Sequence, residues 1–207
     1  MKWINFFANY SIPYYIYKIE KEDSILLNNS YKNVNKSIII IHGSIYIIKI
    51  FINQEILPVA ILGKNNIFTL KEKNVNYKFY YKLIALETTY LISFSLNNLK
   101  NNYALLLNII KSYNNTLEKY EVMNEIISQK YAKNRTVQLI LFLCLEFGIV
   151  NKKEVYLPFK LSQRSLAIMS HTNKTTINKI IKYTWKKINI KYSNKKNVYI
   201  QNIFSVN

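Results

Sequence analysis

The segment LSQRSLAIMSHTNKTTINKIIKYTWKK, residues 161–187, predicts two short helices that share one basic polar side. Ser162 is placed to cap the first helix and Thr172 the second, because their hydroxyl groups can accept hydrogen bonds from free backbone N–H groups. The buried side of the first helix is predicted to contain Leu161, Leu166 and Met169. The buried side of the second has apolar residues at spacings of three and four, namely Ile177, Ile180, Ile181 and Trp185. Two short helices joined by a tight turn are typical of a helix-turn-helix.

The polar side of the second helix carries groups that can donate hydrogen bonds and has no acidic residue. Its members are Asn173, Lys174, Thr175, Asn178, Lys179 and Lys182. Such side chains can contact phosphates and base edges, and a helix-turn-helix presents the N-terminal part of its second helix to the major groove. The alternative is a solvated amphipathic helix pair with no role in nucleic-acid binding.

Residues 188–192 and 198–203 alternate in the manner of strands around a basic turn, SNKKN, at 193–197. This pattern predicts a hairpin with lysine at its tip. A helix-turn-helix followed by such a hairpin is a winged one, and the tip can lie beside the phosphate backbone. The alternative is an ordinary edge hairpin whose lysines prevent aggregation with other strands.

The N-terminal half predicts strands, over residues 37–52 with Gly43 as a turn, and over 55–62, 78–86 and 88–95. Residues 37–96 are therefore expected to form a β-roll or barrel built from hairpins. Residues 1–19 contain no acid and are partly apolar, but polar residues interrupt them and no small-residue cleavage site follows. We expect this start to belong to the folded domain.

Apolar residues between these two parts recur at alternating spacings of four and three, the heptad pattern of a coiled coil. The predicted dimer seam consists of Leu106, Ile110, Tyr113, Leu117, Tyr120, Asn124, Ile127 and Tyr131. A single Asn in such a seam lowers the stability of a coiled coil but favours one helix register and a two-stranded coiled coil. The alternative is a long helix packed on its own β-roll.

The composition favours a polyanionic partner, since 29 Lys and Arg against 11 Asp and Glu give a net charge of +18. Residues 151–207 hold twelve Lys or Arg and one acid, Glu154, which leaves +11 in this fragment. Lys, Asn, Ile and Tyr are abundant, as an AT-rich genome would impose, so codon bias contributes to the charge.

Other classes of protein are not favoured. A single cysteine, Cys144, excludes a disulfide within the chain, and His42 and His171 have no ligands at metal-binding spacing. No apolar run approaches the roughly 18 residues that span a bilayer, so no membrane association is expected. No Ser–His–Asp arrangement, phosphate loop or usefully spaced carboxylate pair is present, so the chain is not expected to be an enzyme.

Residues 161–203 resemble the winged helix of CRP/FNR transcription regulators, most of all the nitrogen-regulator branch of cyanobacteria and red-algal plastids. Residues 135–148, RTVQLILFLCLEFG, resemble the helix that opens the DNA-binding domain in that branch. Residues 40–49, IIHGSIYIIK, resemble the glycine-centred strand pair of its sensor domain. The resemblance covers most of the chain from residue 37 onward.

This resemblance implies an α+β chain: an N-terminal β-roll of the cyclic-nucleotide-binding type over 1–96, a dimerisation helix over 97–132, and a winged helix-turn-helix over 133–207. It implies a homodimer that binds a palindromic operator in double-stranded DNA, contacts RNA polymerase and activates nitrogen-related genes. The expected location is a plastid (chloroplast), and the alternative is a bacterial cytoplasm.

The resemblance also implies roles for single residues. Lys174 and Lys179 stand where relatives have arginines, the first of which reads guanine, and Thr175 stands at a base contact. Thr176 matches a threonine that touches phosphate, and Arg164 falls near other backbone contacts. With the polar side of the second helix, the predicted DNA-binding set is Arg164, Thr172, Asn173, Lys174, Thr175, Thr176, Asn178, Lys179 and Lys182. His171 replaces the usual turn glycine, which makes the geometry of the turn uncertain.

An effector site is only weakly indicated. The cassette that holds the phosphate of cAMP in relatives is absent around residues 68–76, so the sequence does not predict cAMP as a ligand. Relatives in the nitrogen branch hold 2-oxoglutarate with two arginines and a glutamate, and the matching positions carry Lys78, Thr116 and Glu121. Lysine attracts a carboxylate as a point charge only, and threonine brings no charge. The equal alternative is that Lys78 and Glu121 are surface charges.

Two functions therefore remain open. The first is a homodimeric, sequence-specific transcription regulator. The second is a nonspecific nucleic-acid-binding organellar protein that has lost effector sensing. A steep salt dependence of binding without sequence preference would favour the second.

Overall fold

The computed structural model describes residues 2–28, 36–69, 79–99, 103–183, 189–192 and 197–201. The chain divides into two compact units, one of residues 1–55 and 59–121 and one of residues 56–58 and 122–207. The three-part division expected from the sequence, at residues 96 and 132, stays a prediction.

The first unit is built from strands followed by a long helix. Its elements are α1 (Lys2–Asn9), β1 (Tyr14–Ile19), β2 (Ser24–Asn28), β3 (Lys36–His42), β4 (Ile45–Phe51), β5 (Ile56–Leu62), β6 (Ile67–Thr69), β7 (Phe79–Ala85), β8 (Thr89–Ser95), a 3-10 turn (Leu96–Leu99) and the helix α2 (Tyr103–Ser128). The strands form two sheets with the orders β1-β8-β3-β6 and β2-β7-β4-β5. The expected β-roll is present, and each strand predicted from the sequence lies within two residues of an observed one.

The expectation that this roll is built from hairpins is wrong for the pair around Gly43, because β3 and β4 lie in different sheets. Gly43 is the corner between them and has a φ of +86°. A Cβ atom there would lie 2.5 Å from the Thr89 side-chain oxygen and 2.8 Å from the Thr88 carbonyl oxygen. The corner therefore needs glycine for its conformation and for space.

Burial on both faces of β3 explains its unbroken run of isoleucines. Ile38 and Ile40 point into the core between the sheets, together with residues such as Leu83 and Leu91. Ile39 points the opposite way and is 0% exposed. It packs in a second core that includes Phe7 of α1 and residues at the start of α2. A strand covered on both faces loses the polar alternation that marks a one-sided strand.

The start of the chain belongs to the first unit, as expected. Trp3 and Phe7 of α1 are buried, and the indole N–H of Trp3 donates a 3.0 Å hydrogen bond to Asn65. The edge strands β1 and β2 that follow α1 were not predicted. Four of the six residues of β1 are exposed, so its sequence lacks a clear alternation.

The second unit, which includes the C-terminal turns of α2, contains the winged helix-turn-helix. Its further elements are α3 (Ala132–Phe147), β9 (Ile149–Asn151), β10 (Glu154–Tyr156), α4 (Gln163–Met169), α5 (Lys174–Tyr183), β11 (Ile190–Tyr192) and β12 (Val198–Ile200). Its sheet has the order β11-β12-β10-β9. Both helices and both wing strands were predicted, whereas the short hairpin β9–β10 was not. Trp185 and the wing tip at 193–196 lie outside the described residues.

No described helix is both long enough and apolar enough to cross a membrane.

Candidate nucleic-acid interface

The first helix of the pair, α4, begins and packs as predicted. The Ser162 side-chain oxygen accepts a 2.9 Å hydrogen bond from the Ser165 backbone N–H. Leu161, Leu166 and Met169 are each 0% exposed. These contacts anchor α4 in the unit and leave Arg164 exposed on its other side.

The cap of the second helix is Asn173, and the prediction of Thr172 is wrong. The Asn173 side-chain oxygen accepts a 2.7 Å hydrogen bond from the Thr176 backbone N–H. Because α5 begins at Lys174, the capping position falls one residue after Thr172. Thr172 instead lies in the turn, where its backbone N–H donates a 2.8 Å hydrogen bond to the Ala167 carbonyl. On the buried side of α5, Ile177 and Ile180 are buried as predicted and Ile181 is half-buried.

The turn between the helices has the backbone conformation that usually requires glycine. His171 has a φ of +49°, which a non-glycine residue adopts at some cost. The sequence left the geometry of this turn uncertain, and the structure shows a left-handed backbone conformation at His171.

A concave groove of about 510 Å³ lies between the start of α4, the polar side of α5 and the first wing strand. Four predicted residues meet in it, namely Arg164, Lys174, Asn178 and Lys182. None of the described lining residues is acidic. A groove with three cations and hydrogen-bond donors is suited to a polyanion.

The other predicted DNA-binding residues lie beside this groove. Thr175 and Lys179 are exposed on α5, and Asn173 is exposed at its start. Thr172 and Thr176 are half-buried. All nine predicted residues thus belong to α4, the turn or α5, and their role in binding DNA remains a prediction.

Two residues of the groove were missed by sequence reasoning, Gln163 and Tyr192. Gln163 could have been found, because it directly follows the Ser162 cap and precedes Arg164. Tyr192 comes from β11, and only the fold brings it to the start of α4. Burial raises the pKa of Tyr192 further above neutral pH, where a tyrosine hydroxyl is already protonated and can donate.

The wing is described up to the ends of its strands. Lys191 pairs with Tyr199, and Tyr192 pairs with Val198 in antiparallel register. Lys191 is exposed, and Val198 and Ile200 are buried. The described strands of the wing therefore have one face in the core of the unit and carry one exposed basic residue, Lys191.

The helix α2 has one side that packs against its own β-roll and one side that is exposed. The seam residues that lie within α2 and are exposed are Leu106, Ile110, Leu117 and Asn124, and Tyr131 after the helix is exposed as well. Tyr113 and Tyr120 are half-buried and pack against the cores of the β-roll, and Ile127 is half-buried. Tyr131 was predicted as the last seam residue of the helix, but α2 ends at Ser128. Its exposed side is available to a second helix, and a dimer remains a prediction.

Of the predicted effector positions, the structure describes Thr116 and Glu121, and only Thr116 lines the cavity beside α2. Thr116 lines a cavity of about 260 Å³ between β6 and α2, and none of the described lining residues carries a charge. Its hydroxyl accepts a hydrogen bond of 2.8 Å from the Ile67 N–H and donates one of 2.8 Å to the Ser112 carbonyl. Glu121 is exposed and does not line this cavity, and Lys78 lies outside the described residues. Thr116 therefore holds α2 against β6.

Neither a metal site nor a reactive thiol is found among the described residues. Among the described residues, no three His, Cys, Asp or Glu side chains lie close enough to hold a metal ion. Cys144 is buried, and burial raises the pKa of its thiol to about 11. A thiol with such a pKa is a poor nucleophile at neutral pH.

The β-roll, the long helix and the winged helix-turn-helix with a cationic groove are parts that winged-helix DNA-binding regulators with a sensor-type domain share. Solved structures with this arrangement match nearly the whole chain. A CRP-family transcriptional regulator from Thermus thermophilus matches with a TM-score of 0.72 at 11% identity, over 92% of this chain and 94% of its own. A mutant of CooA from Carboxydothermus hydrogenoformans matches with a TM-score of 0.70 at 16% identity, over 93% and 86%.

Sequence relatives agree with the fold. The HTH-type transcriptional regulator ycf28 of Porphyra purpurea is 25% identical over 191 residues, which are 86% of this chain and 75% of the relative. The global nitrogen regulator of Nostoc sp. strain PCC 7120 is 23% identical over 149 residues, which are 69% of this chain and 66% of the relative. No family model matches the chain. In fold and in sequence the chain is similar to transcription regulators of the CRP/FNR family, and the resemblance stated from the sequence is confirmed.

Proposed function

We propose that this chain is a homodimeric transcription regulator that reads a palindromic operator in double-stranded DNA. The observation that carries the proposal is the groove in which Arg164, Lys174 and Lys182 meet around Asn178. It lies on the exposed side of a helix pair whose opposite side is fixed in the core. The second helix of such a pair enters the major groove, where its side chains can reach base edges.

The proposed roles of the single residues follow mainly from their positions along α5. Lys174 and Thr175 begin the helix, where a helix-turn-helix contacts bases, and Lys179 lies about one turn further on. Arg164 and Thr176 are proposed to bind phosphates and to set the orientation of the helix. Lysine lacks the two-pronged contact that arginine makes with guanine, so discrimination at that base is expected to be weaker than in arginine-bearing relatives.

Dimerisation through the exposed side of α2 would give two reading helices. Successive major grooves on one face of DNA lie about 34 Å apart, so a dimer suits a palindrome with half-sites one helical turn apart. The apolar side chains Leu106, Ile110 and Leu117 are each more than 40% exposed in the single chain. A second copy of α2 would remove them from water.

Activation, contact with RNA polymerase, a role in nitrogen-related genes and a plastid location are finer proposals. The resemblance to the nitrogen-regulator branch supports them, as do the relatives from Nostoc and Porphyra purpurea. A reporter gene placed downstream of the operator would separate activation from repression. Binding of 2-oxoglutarate is testable by calorimetry, and no heat at millimolar ligand would rule out an effector role for that acid.

The function is tested by incubating the purified protein with a pool of random duplexes at about 150 mM salt, where nonspecific attraction is screened. The retained duplexes are then sequenced. We expect a palindrome with half-sites about one helical turn apart. An unenriched pool would contradict sequence-specific binding and favour the nonspecific nucleic-acid-binding protein.

A further inference from the structure

Arg135, the fourth residue of α3, joins two separate segments of the second unit through four hydrogen bonds. Its Nε atom donates to the Ser170 carbonyl at 2.9 Å and one terminal nitrogen donates to the His171 carbonyl at 3.0 Å. Its other terminal nitrogen donates to the carbonyls of Gln129 at 2.8 Å and Lys130 at 3.2 Å. One guanidinium therefore contacts both the segment after α2 and the turn of the helix-turn-helix.

Both sets of acceptors follow the end of a helix. The helix α2 ends at Ser128, directly before Gln129 and Lys130, and α4 ends at Met169, directly before Ser170 and His171. Carbonyl groups at the C-terminal end of a helix lack intrahelical partners and carry partial negative charge. A guanidinium is suited to satisfy two such ends at once, because its donors are fixed in a planar fork.

The position of Arg135 near the N-terminal end of α3 does not by itself favour a positively charged side chain. The first turn of α3 has no acidic residue, and the Tyr131 side chain makes no capping hydrogen bond. A cation near the N-terminal end of a helix is disfavoured by the helix dipole. The favourable contacts of Arg135 are thus those with the ends of α2 and α4.

The contact also includes the residue of the turn that has a left-handed backbone conformation. His171 has the left-handed backbone, and its carbonyl is one of the four acceptors. The direction of that carbonyl depends on the turn that sets α5 relative to α4. Arg135 is therefore bonded to the point on which the orientation of the reading helix depends.

We infer that Arg135 is the positioning residue that fixes the helix-turn-helix relative to the end of α2. The inference rests on the proposed function, because this orientation matters only if α2 joins two copies and α5 reads DNA. In such a dimer, Arg135 sets the distance between the two reading helices and hence the preferred spacing of half-sites. It does so through backbone groups of its own chain.

The experiment compares Arg135→Lys and Arg135→Ala with a matched control, Lys133→Ala. Lys133 is exposed on the same first turn of α3, so its removal changes the charge equally. Affinity is measured for the selected palindrome, for palindromes with one or two base pairs added or removed between the half-sites, and for a duplex with one half-site. Thermal unfolding and sedimentation are recorded for each variant.

We expect the wild type and Lys133→Ala to prefer the selected spacing by about tenfold or more, a discrimination typical of a changed base pair. Both Arg135 variants should lose most of that preference while their half-site affinity stays within about twofold of wild type. Lysine keeps the charge, so its failure to restore the preference assigns the effect to the geometry of the guanidinium.

Two results would overturn the inference. One is a spacing preference in Arg135→Lys that equals that of the wild type. This variant still tests the inference if Arg135→Ala fails to fold. The other is a loss of half-site affinity in parallel with thermal stability, because this would mean a general structural role. A wild-type protein with no spacing preference at all would instead refute the proposed function, and the inference with it.

Discussion

The hydroxyl of Tyr192 donates a 2.8 Å hydrogen bond to the backbone carbonyl of Leu161, which ties the first wing strand to the residue before the α4 cap. Replacing Tyr192 with Phe removes this bond and leaves the Leu161 carbonyl without that donor. We expect a loss of about 1 kcal/mol in the free energy of unfolding, measured with urea. The control is Tyr199→Phe on the paired strand, and an equal loss there would contradict the role of the bond.

The capping of α5 predicts different effects on stability for the neighbouring residues Thr172 and Asn173. Asn173→Ala should lower the free energy of unfolding by about 1 kcal/mol, because the Thr176 N–H loses its acceptor. Asn173→Asp keeps an acceptor oxygen and should stay close to wild type. Thr172→Ala is the matched control, and a larger loss there than in Asn173→Ala would restore Thr172 as the cap. Urea unfolding in the absence of DNA measures all three variants.

The Thr116 hydroxyl is expected to stabilise the fold without any effector. Thr116→Val keeps the shape of the side chain but leaves the buried Ile67 N–H without its acceptor, which should cost about 1–3 kcal/mol of unfolding free energy. Thr116→Ser keeps the hydroxyl and should lose less. If the valine variant unfolds with wild-type stability, the hydrogen bonds of Thr116 do not hold α2 to β6.

The dimer is tested at an exposed seam residue. Leu117 is 55% exposed in the single chain, so Leu117→Asn should leave the fold intact and weaken dimerisation by about tenfold or more, given the value of burying a leucine. Leu145 on α3 is 85% exposed and provides the control Leu145→Asn. Sedimentation across micromolar concentrations gives the dimer constants. A wild-type chain that is monomeric throughout would contradict the proposed seam.

Elements with strong local signals were predictable from the sequence. The helix pair α4 and α5 has a polar cap, a regular apolar side and a turn, so the starts of both helices were expected within one residue. The strands β3 and β4 were predicted because they are rich in isoleucine, a β-branched residue that favours strands. Their placement in different sheets was not predicted, because residue periodicity describes one strand at a time and Gly43 permits a hairpin turn or a corner equally well.

Other features depend on contacts that sequence spacing does not reveal. Thr172 and Asn173 are both good caps, and the observed start of α5 selects Asn173. The strands β9 and β10 have three residues each, too few to show alternation. Tyr192 donates to the carbonyl of Leu161, and Arg135 donates to those of Ser170 and His171, more than 30 residues away in the sequence. Backbone acceptors exist at every residue, so the sequence cannot indicate which of them a side chain meets.

The central claim, that α5 reads base sequence, is tested most directly by Lys174→Ala. Its affinity is measured for the selected operator and for random duplex DNA at the same salt concentration, beside wild type and Thr176→Ala. We expect Lys174→Ala to lose affinity mainly for the operator, by about 1–3 kcal/mol, so that the ratio of specific to random binding falls. Thr176→Ala should weaken binding to both DNAs alike, because a phosphate contact carries no sequence information. An equal loss on operator and random DNA in Lys174→Ala would contradict base reading by this residue.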